Sequence, residues 1–307
     1  MSTMNQTRVT EFILLGFGNL YVFNIVFFIL FLVIFLFTVV GNLMLIVLVS
    51  VNTKLQCPMY YFLCHLSFSD LVISSNIVPN MLVAILFGGK KMSYVGCITQ
   101  LYLYSGTTIT ECFLLSVMSY DRYLAVCNPL RYCTVMDFRH NTCLSLWPWL
   151  LGLTLNLSGV FPISNFDFCY DNIIDHVYCD LSPLQKLSCS DTSLVELEVF
   201  LFSIPIFILP CGYIIVTYVY IFLTIVRIPS TTGKQKTFST CSSHLIVVVT
   251  FYGTLIAKYM IPSVGHSSLI NKIVSLLHAL FTPLINPIIY SLRNQDIKMA
   301  FIKMFAQ

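Results

Sequence analysis

Long apolar stretches dominate the chain, and short polar segments separate them. Five of the stretches carry no charge and lie within Phe12 to Thr53, Asn141 to Phe166, Val199 to Val226, Thr237 to Ala257 and Ile273 to Leu292. Two more, Leu55 to Gly89 and Met92 to Tyr120, each contain one carboxylate, Asp70 and Glu111 respectively. Because a helix needs about 20 apolar residues to cross the hydrocarbon layer, the pattern predicts seven transmembrane helices.

The predicted fold is an all-α membrane protein, a seven-transmembrane helix bundle that forms one domain over residues 1–307. The predicted helices span residues 23–51, 58–86, 94–127, 141–162, 197–226, 237–262 and 271–291. A short eighth helix over 294–305 is predicted to be amphipathic and to lie on the inner leaflet. Composition agrees, because 57% hydrophobic and 9% charged residues leave too few charges to cover a water-soluble surface.

The distribution of Lys and Arg predicts that the N-terminus is outside. In that orientation the inner segments hold ten basic residues and the outer segments six, and positive segments tend to stay in the cytoplasm. The sequon Asn5-Gln6-Thr7 agrees, since its asparagine can be glycosylated only on the luminal side. A second sequon begins at Asn156, inside the fourth predicted helix, where no glycan could be attached.

Four cysteines lie on the predicted outer side, which is the oxidising side. Cys97 begins helix three, whereas Cys169, Cys179 and Cys189 lie in the long loop after helix four. They suggest two disulfides, and the sequence leaves three pairings open. The loop and the start of helix five also hold seven of the thirteen acids. We interpret the loop as a solvated lid, because a cation site would need a tighter cluster of ligands.

The inner end of helix three carries the most informative motif, Met118-Ser119-Tyr120-Asp121-Arg122-Tyr123-Leu124-Ala125-Val126-Cys127. Four other blocks follow the same order along the chain: Gly41-Asn42, Pro58 to Leu63, Lys236 to Leu245 and Pro283 to Asn294. Together they resemble the odorant (olfactory) receptors, a family of rhodopsin-like (class A) G-protein-coupled receptors. The resemblance extends from about Asn5 to Asn294.

The resemblance implies a multi-pass plasma-membrane receptor that binds a small-molecule odorant and activates a stimulatory, olfactory-type G protein, raising cyclic AMP. It implies no enzyme activity, no cofactor and no nucleic acid partner. The residues agree, because no His and Cys set has zinc spacing and no Ser, His and Asp set lies at one depth. A seven-helix transporter or channel is the alternative, but it would predict inverted repeats and a charged path at mid-membrane.

In the family, ligands bind in the outer halves of helices three, five, six and seven. Counting in helical steps from Arg122, Pro210 and Pro287 gives the inward residues of three of these helices. With those of helix six, the predicted ligand-binding residues are Leu101, Tyr104, Ser105, Thr108, Ile109, Phe202, Ser203, Ile206, Tyr252, Leu255, Ile256, Tyr259, Leu276 and Ala279. Ordinary helix packing accounts for some of them. Lys258 could attract an acidic odorant, but we expect its amine to extend to the surface instead.

The resemblance also implies a set of switch residues at the inner end. They are Asp121, Arg122, Tyr123, Tyr218, His244, Asn286, Pro287 and Tyr290. Arg122 would pair with Asp121 at rest and contact the G protein after helix six moves outward. His244 is interpreted first as a satisfied core residue and second as part of the moving helix end.

Asp70 and Glu111 lie at mid-membrane, where an ionised side chain costs several kcal/mol unless it is paired. Two readings have equal weight. In one, the pair forms a sodium site, as in related receptors; in the other, the two carboxyl groups share a proton in the core.

Overall fold

Long helices make up most of the structure, a computed structural model that describes residues 9–18, 23–168, 172–260 and 268–305. The first helices are α1 (Phe23–Val51), α2 (Pro58–Phe87), α3 (Tyr94–Cys127), the short α4 (Pro129–Val135) and α5 (Phe138–Ile163). They are followed by α6 (Leu181–Leu187), α7 (Ser193–Ser203), α8 (Leu209–Arg227), α9 (Thr231–Met260), α10 (Ser268–Leu276), α11 (Thr282–Arg293) and α12 (Gln295–Phe305). A 3-10 turn at Thr53–Leu55 links α1 to α2.

Among the residues that the structure describes, six helical segments are long and apolar enough to cross a membrane. They are Phe23–Val51, Pro58–Phe87, Phe138–Ile163, Ser193–Arg227, Thr231–Tyr259 and Leu269–Leu292. The helix α3 has 34 residues but is more polar, because buried hydroxyls and the charged Glu111, Asp121 and Arg122 interrupt its apolar sequence. It packs against α2, α5, α8 and α9, so it lies inside the bundle. Its polar residues therefore face protein.

Caps explain where several helices begin and end. Asp137 caps α5 by accepting a hydrogen bond from the His140 backbone at 2.7 Å, so α5 begins at Phe138, before the predicted residue 141. The uncharged stretch begins only after Arg139, which explains the difference. Ser93 caps α3 by accepting from Gly96 N at 3.1 Å. Gly88 ends α2 with a φ of 69°, a left-handed conformation that favours glycine.

Two predicted helices each contain a π-helical turn. Ile204–Ile208 connects α7 to α8, and its Pro205 has no backbone N–H to donate. The Leu209 N–H donates to the Ile204 carbonyl, five residues back. A second turn, Leu277–Phe281, connects α10 to α11. Hydrophobic spacing does not reveal such a turn.

A small sheet, which the sequence pattern did not predict, covers one end of the bundle. Its strands are β1 (Glu11–Leu14), β2 (Lys90–Ser93) and β3 (Ile173–Ile174). In the order β2-β1-β3, β1 pairs antiparallel with β2 and parallel with β3. Phe12 and Leu14 of β1 are fully buried, so the N-terminal segment anchors the long loop to the helices.

Glycine allows two pairs of helices to approach closely. A Cβ built on Gly152 of α5 would lie 2.8 Å from the Gly106 carbonyl oxygen of α3 and would overlap the Thr110 side chain. A Cβ on Gly41 of α1 would lie 3.1 Å from Pro287 of α11. Small residues serve this purpose in membrane helices, where close backbone contact replaces the hydrophobic drive of water.

Apolar side chains cover the outside of the bundle, as the predicted lipid contact requires. Phe37 of α1, Phe200 of α7 and Phe222 of α8 are each more than 60% exposed. The final helix α12 turns back on the bundle, with Ile297 and Ala300 buried against α1 and α2 residues. The Tyr60 hydroxyl donates to Asn294 Oδ1 at 3.1 Å next to this helix.

Candidate functional site

A cavity of about 120 Å³ lies between α3, α5, α7 and the π turn after α7, at the end of the bundle covered by the long loop. Nine of the fourteen predicted ligand residues line it: Leu101, Tyr104, Ser105, Thr108, Ile109, Phe202, Ser203, Ile206 and Tyr259. The five from α3 follow helical spacing of three and four, so one face of that helix forms a wall. Most of the wall is apolar.

The other five predicted residues lie elsewhere. Tyr252 and Leu255 are buried in the central core of the bundle. Leu276 and Ala279 pack in a separate cluster with Tyr104 and Tyr178. Ile256 is 55% exposed and faces away from the core. Along helix six, Tyr252 and Leu255 therefore face the core, Ile256 faces away from it, and Tyr259 reaches the cavity.

The sequence pattern missed three polar residues of the cavity, Asn156, Asp180 and Glu198. Asn156 is buried in α5, where its Nδ2 donates to the Tyr102 carbonyl at 2.8 Å and its Oδ1 accepts from Ser105 Oγ at 2.7 Å. Its sequon therefore serves no glycan, as expected. Asn156 lies in the predicted helix four and Asp180 in the loop, outside the four helices expected to bind ligand, although the nearness of Asp180 to Cys179 was a usable signal.

Lys258 points inward, which corrects the expectation that its amine extends to the surface. Its side chain is only 8% exposed, and Nζ lies 2.8 Å from Asp180 Oδ2. The ammonium also donates to the hydroxyls of Tyr104 and Tyr178, at 3.1 Å and 3.3 Å. It lies 4.6 Å from the centre of the Tyr104 ring. This buried cluster of four side chains joins the loop to α3 and α9.

Asp180 is largely buried, so the loop is not simply the solvated lid that its acidity predicted. Burial raises the Asp180 pKa, but the Lys258 ammonium and hydrogen bonds outweigh that effect and hold the pKa below its usual value. Asp180 therefore stays ionised at neutral pH. A second ion pair joins the loop to α10, with 2.5 Å between Lys272 Nζ and Asp175 Oδ1. Asp180 and Asp175 of the loop are thus each paired with a lysine of a helix.

A disulfide between Cys97 and Cys179 fixes the loop to the start of α3. The Cys179 N–H donates to Gln100 Oε1 at 2.9 Å, which adds a second tie to that helix. Cys189 is also disulfide-bonded. Its candidate partner Cys169 and the predicted glycan site Asn5 lie outside the described residues.

His176 is a buried residue of the long loop, and its side chain is neutral at physiological pH. Burial, with help from the Lys258 and Lys272 charges, lowers its pKa to about 4. Its Nδ1 lies 3.0 Å from the Tyr178 carbonyl, and its Nε2 lies 3.2 Å from Ser275 Oγ of α10. The ring therefore connects loop and helix while uncharged.

The opposite end of α3 holds the predicted switch residues. Asp121 is fully buried and forms an ion pair with Arg122. Its second oxygen accepts from the Tyr132 hydroxyl of α4 at 2.8 Å. Tyr123 contacts the Tyr220 ring of α8, with 6.1 Å between centroids. The acid thus holds Arg122 and α4 together.

Neighbouring helices add the remaining switch residues. The Tyr218 hydroxyl of α8 lies 2.7 Å from His244 Nδ1 and 3.1 Å from the Cys241 carbonyl, both in α9. The Tyr290 hydroxyl is buried without a hydrogen-bond partner among the described residues. Pro287 lies close to α1, since a Cβ built on Gly41 would lie 3.1 Å from its side chain. This end of the bundle therefore has a hydrogen-bonded pair of helices, α8 and α9, and a buried tyrosine hydroxyl that has no partner among the described residues.

Asp70 and Glu111 are both buried at the centre of the bundle. Asn286 Nδ2 donates to both oxygens of Asp70, at 3.2 Å and 3.0 Å. Glu111 accepts from Ser69 Oγ at 2.7 Å. Within the described ranges, no group of three or more His, Cys, Asp or Glu side chains could hold a metal ion. Any site here would need amide and hydroxyl oxygens as well.

Comparison with known proteins identifies the family. The olfactory receptor family matches residues 31–307. The chain belongs to that family. Human Olfactory receptor 11L1 is 44% identical over 303 residues, covering 99% of this chain and 94% of the relative. Human Olfactory receptor 6B1 is 42% identical over 306 residues, covering 99% and 97%.

The fold of this olfactory receptor is also found in a solved structure. The crystal structure of squid rhodopsin superposes with a TM-score of 0.72 at 17% identity, covering 92% of this receptor and 86% of that chain. The likeness supports the rhodopsin-like helix bundle. Membership in the family makes the chain a receptor and not an enzyme, and it implies odorant reception with G-protein coupling.

Proposed function

We propose that the receptor spans the plasma membrane seven times, with its N-terminus outside, and detects a small, mainly hydrophobic odorant in the cavity beside α3. Binding activates a stimulatory, olfactory-type G protein at the inner end and raises cyclic AMP. In this proposal α3 crosses the membrane in addition to the six apolar segments, which makes seven spanning helices. Its polar residues are compatible with this because they face the bundle interior. The excess of basic residues on the inner side supports the orientation.

One observation carries the proposal. The same helix, α3, lines the cavity from Leu101 to Ile109 and bears the Asp121–Arg122 pair at its other end. Thirteen residues separate Ile109 from Arg122, which is about 20 Å along an α-helix. A ligand that changes how α3 packs against α5 and α7 can therefore change the environment of Arg122 through one rigid element.

The signal is a shift between two arrangements. An odorant that binds the active arrangement more tightly than the resting one moves the population by that difference in affinity. In the active arrangement α9 moves outward, the Asp121–Arg122 pair opens, and Arg122 contacts the G protein. The hydroxyls of Tyr218 and Tyr290 then support the rearranged cluster. The unpartnered Tyr290 hydroxyl is available for that role.

The last helix and the N-terminus complete the topology. We propose that α12 lies on the inner leaflet, because the exposed Lys298 and the buried Ile297 lie on different faces of it. Asn5 would carry a glycan outside the cell.

We also propose that Asp70 and Glu111 bind a sodium ion. The Asn286 Oδ1 oxygen is buried without a partner among the described residues, and it belongs to the amide that donates to Asp70. Oxygen ligands of this kind suit a hard cation. Sodium should raise the thermal stability of the purified receptor, and the Asp70→Asn variant should lose the effect. If sodium has no more effect than choline at equal ionic strength, the two carboxyl groups share a proton instead.

A cyclic AMP assay tests the function. Cells expressing the receptor are exposed to a panel of volatile compounds, and the Arg122→Ala variant is compared at equal surface density. The wild type should respond to some of the panel, and Arg122→Ala should abolish the response. Arg139→Ala is the matched control, because it removes an exposed charge from the first turn of α5. Equal responses from wild type and Arg122→Ala would refute the proposed coupling.

A further inference from the structure

The charges at the cavity are arranged asymmetrically. Asp180 and Glu198 both line the cavity, whereas Lys258, which pairs with Asp180, is not among the lining residues. Two acidic residues therefore belong to the lining of an otherwise mainly apolar cavity, and the Lys258 ammonium is paired with one of them.

Lys258 has no hydrogen left to offer a ligand. A lysine ammonium has three N–H donors. The structure uses all three, on Asp180 Oδ2, the Tyr104 hydroxyl and the Tyr178 hydroxyl. An acidic ligand could reach this amine only by displacing one of those buried partners.

Asp180 keeps the capacity to accept. Its Oδ2 accepts from Lys258, and its Oδ1 accepts from the Leu181 N–H at 3.0 Å. A carboxylate has about four lone-pair positions, so about two remain for a ligand. The ion pair and the backbone bond also fix the carboxylate in position.

Two hydroxyls of the cavity wall, those of Thr108 and Ser105, are already committed to the protein as donors. The Thr108 hydroxyl donates to the Tyr104 carbonyl at 2.9 Å. The Ser105 hydroxyl has its hydrogen directed to the Leu101 carbonyl at 2.6 Å or to Asn156 Oδ1 at 2.7 Å. Each hydroxyl has one hydrogen and two lone pairs, so both can still accept.

We propose that Asp180 is the ligand-selecting residue of the cavity, and that the receptor prefers a small apolar molecule that donates a hydrogen bond, an alcohol or an amine, over a carboxylic acid. This inference rests on the proposed odorant cavity and names the chemistry of its polar contact. It is the opposite of the preference for acidic odorants that an unpaired Lys258 facing the ligand would have produced. A carboxylic acid would bring a third carboxylate to a wall that already holds two.

Binding is tested separately from signalling, by the thermal stabilisation of the purified full-length receptor. The probes are octan-1-ol, octylamine, octanoic acid and octane, which share one chain and differ in the polar group. The alcohol or the amine should bind about tenfold or more tightly than the acid and the alkane. If the acid binds as tightly as both donors, or neither donor stabilises the receptor, the inference is wrong.

Variants then assign the contact. Asp180→Asn should weaken binding of the preferred donor by about tenfold, as expected for loss of a hydrogen bond to a charged group. Asp191→Asn is the matched control, since it removes an exposed acid of the same segment that does not line the cavity. Glu198→Gln distinguishes the two donor classes, because it should weaken octylamine more than octan-1-ol. Equal loss in the Asp180 and Asp191 variants would refute the assignment.

A charge exchange gives the sharpest result. The double variant Asp180→Lys with Lys258→Asp retains the pair but presents the cation to the cavity. If surface expression shows that it folds, its preference should change from amine to acid. An unchanged preference would overturn the inference. Donor-selective binding without a cyclic AMP response would instead count against the proposed function and leave this inference standing.

Discussion

The close contact between α3 and α5 leaves no room for a side chain at Gly152. In Gly152→Ala the new methyl would lie 2.8 Å from the Gly106 carbonyl oxygen and 2.9 Å from the Thr110 backbone nitrogen. Relaxed contacts between heavy atoms are about 3.5 Å. The two helices must therefore separate by roughly half an ångström or more, and backbone atoms cannot rotate away.

The expected cost follows from that overlap. Overpacking of a well-packed interior typically costs about 1–3 kcal/mol, and we expect Gly152→Ala to lower the unfolding free energy by that amount. The midpoint of thermal unfolding of the purified receptor and its surface density should both fall. Gly212→Ala is the control, because a Cβ there meets nothing within 4 Å.

A second substitution tests the cause. Thr110→Ala removes the side-chain oxygen that the new methyl would overlap but leaves both backbone contacts. In the Gly152→Ala background it should therefore recover part of the loss, and not all of it. If Gly152→Ala is as stable as the wild type, or Gly212→Ala is equally unstable, the helix contact does not have the geometry described.

Three further predictions concern the loop and the inner end. The pKa of His176 is about 4 in the folded state against an ordinary 6.5, so the unfolded state binds more protons between these two pH values. The free energy of unfolding should therefore fall by about 3 kcal/mol as the pH drops from 6.5 to 4. Thermal unfolding of His176→Asn should lack this pH dependence, and an equal dependence would contradict the assignment. Tyr218→Phe leaves His244 Nδ1 without its hydroxyl partner and should cost about 1–3 kcal/mol of stability, whereas an unchanged unfolding midpoint would show that the bond contributes little. Asp121→Asn removes the charge that holds Arg122 and should raise basal cyclic AMP several-fold at equal surface density; basal signalling at or below that of the wild type would refute that role.

Helix positions followed from the sequence because a spanning helix leaves a plain signal, about 20 residues with few charges. The ends were harder, as at Asp137, where a polar cap and a charged first turn precede the apolar stretch. The π turns and the small sheet were not predicted. Backbone hydrogen bonding defines the turn at Ile204–Ile208, and β1 pairs with strands far away in sequence.

The same contrast holds within the site. Helical counting found the α3 wall, because one rigid helix keeps its period. The expectation that the Lys258 amine extends to the surface was wrong, because its partner Asp180 lies in a loop whose fold the sequence did not reveal. The polar lining residues Asn156, Asp180 and Glu198 were not predicted. Asn156 of α5 and Asp180 of the loop reach the cavity only through tertiary contacts, which the spacing along one helix does not show.

In the proposed topology the ligand cavity lies in the outer half of the bundle and the Asp121–Arg122 pair lies at the cytoplasmic end of the same helix. The direct measurement is antibody access to an epitope at the N-terminus and to another placed after Arg131, in intact and in permeabilised cells. The first epitope should be accessible in intact cells, and the second only after permeabilisation. Access to both epitopes in intact cells would contradict it.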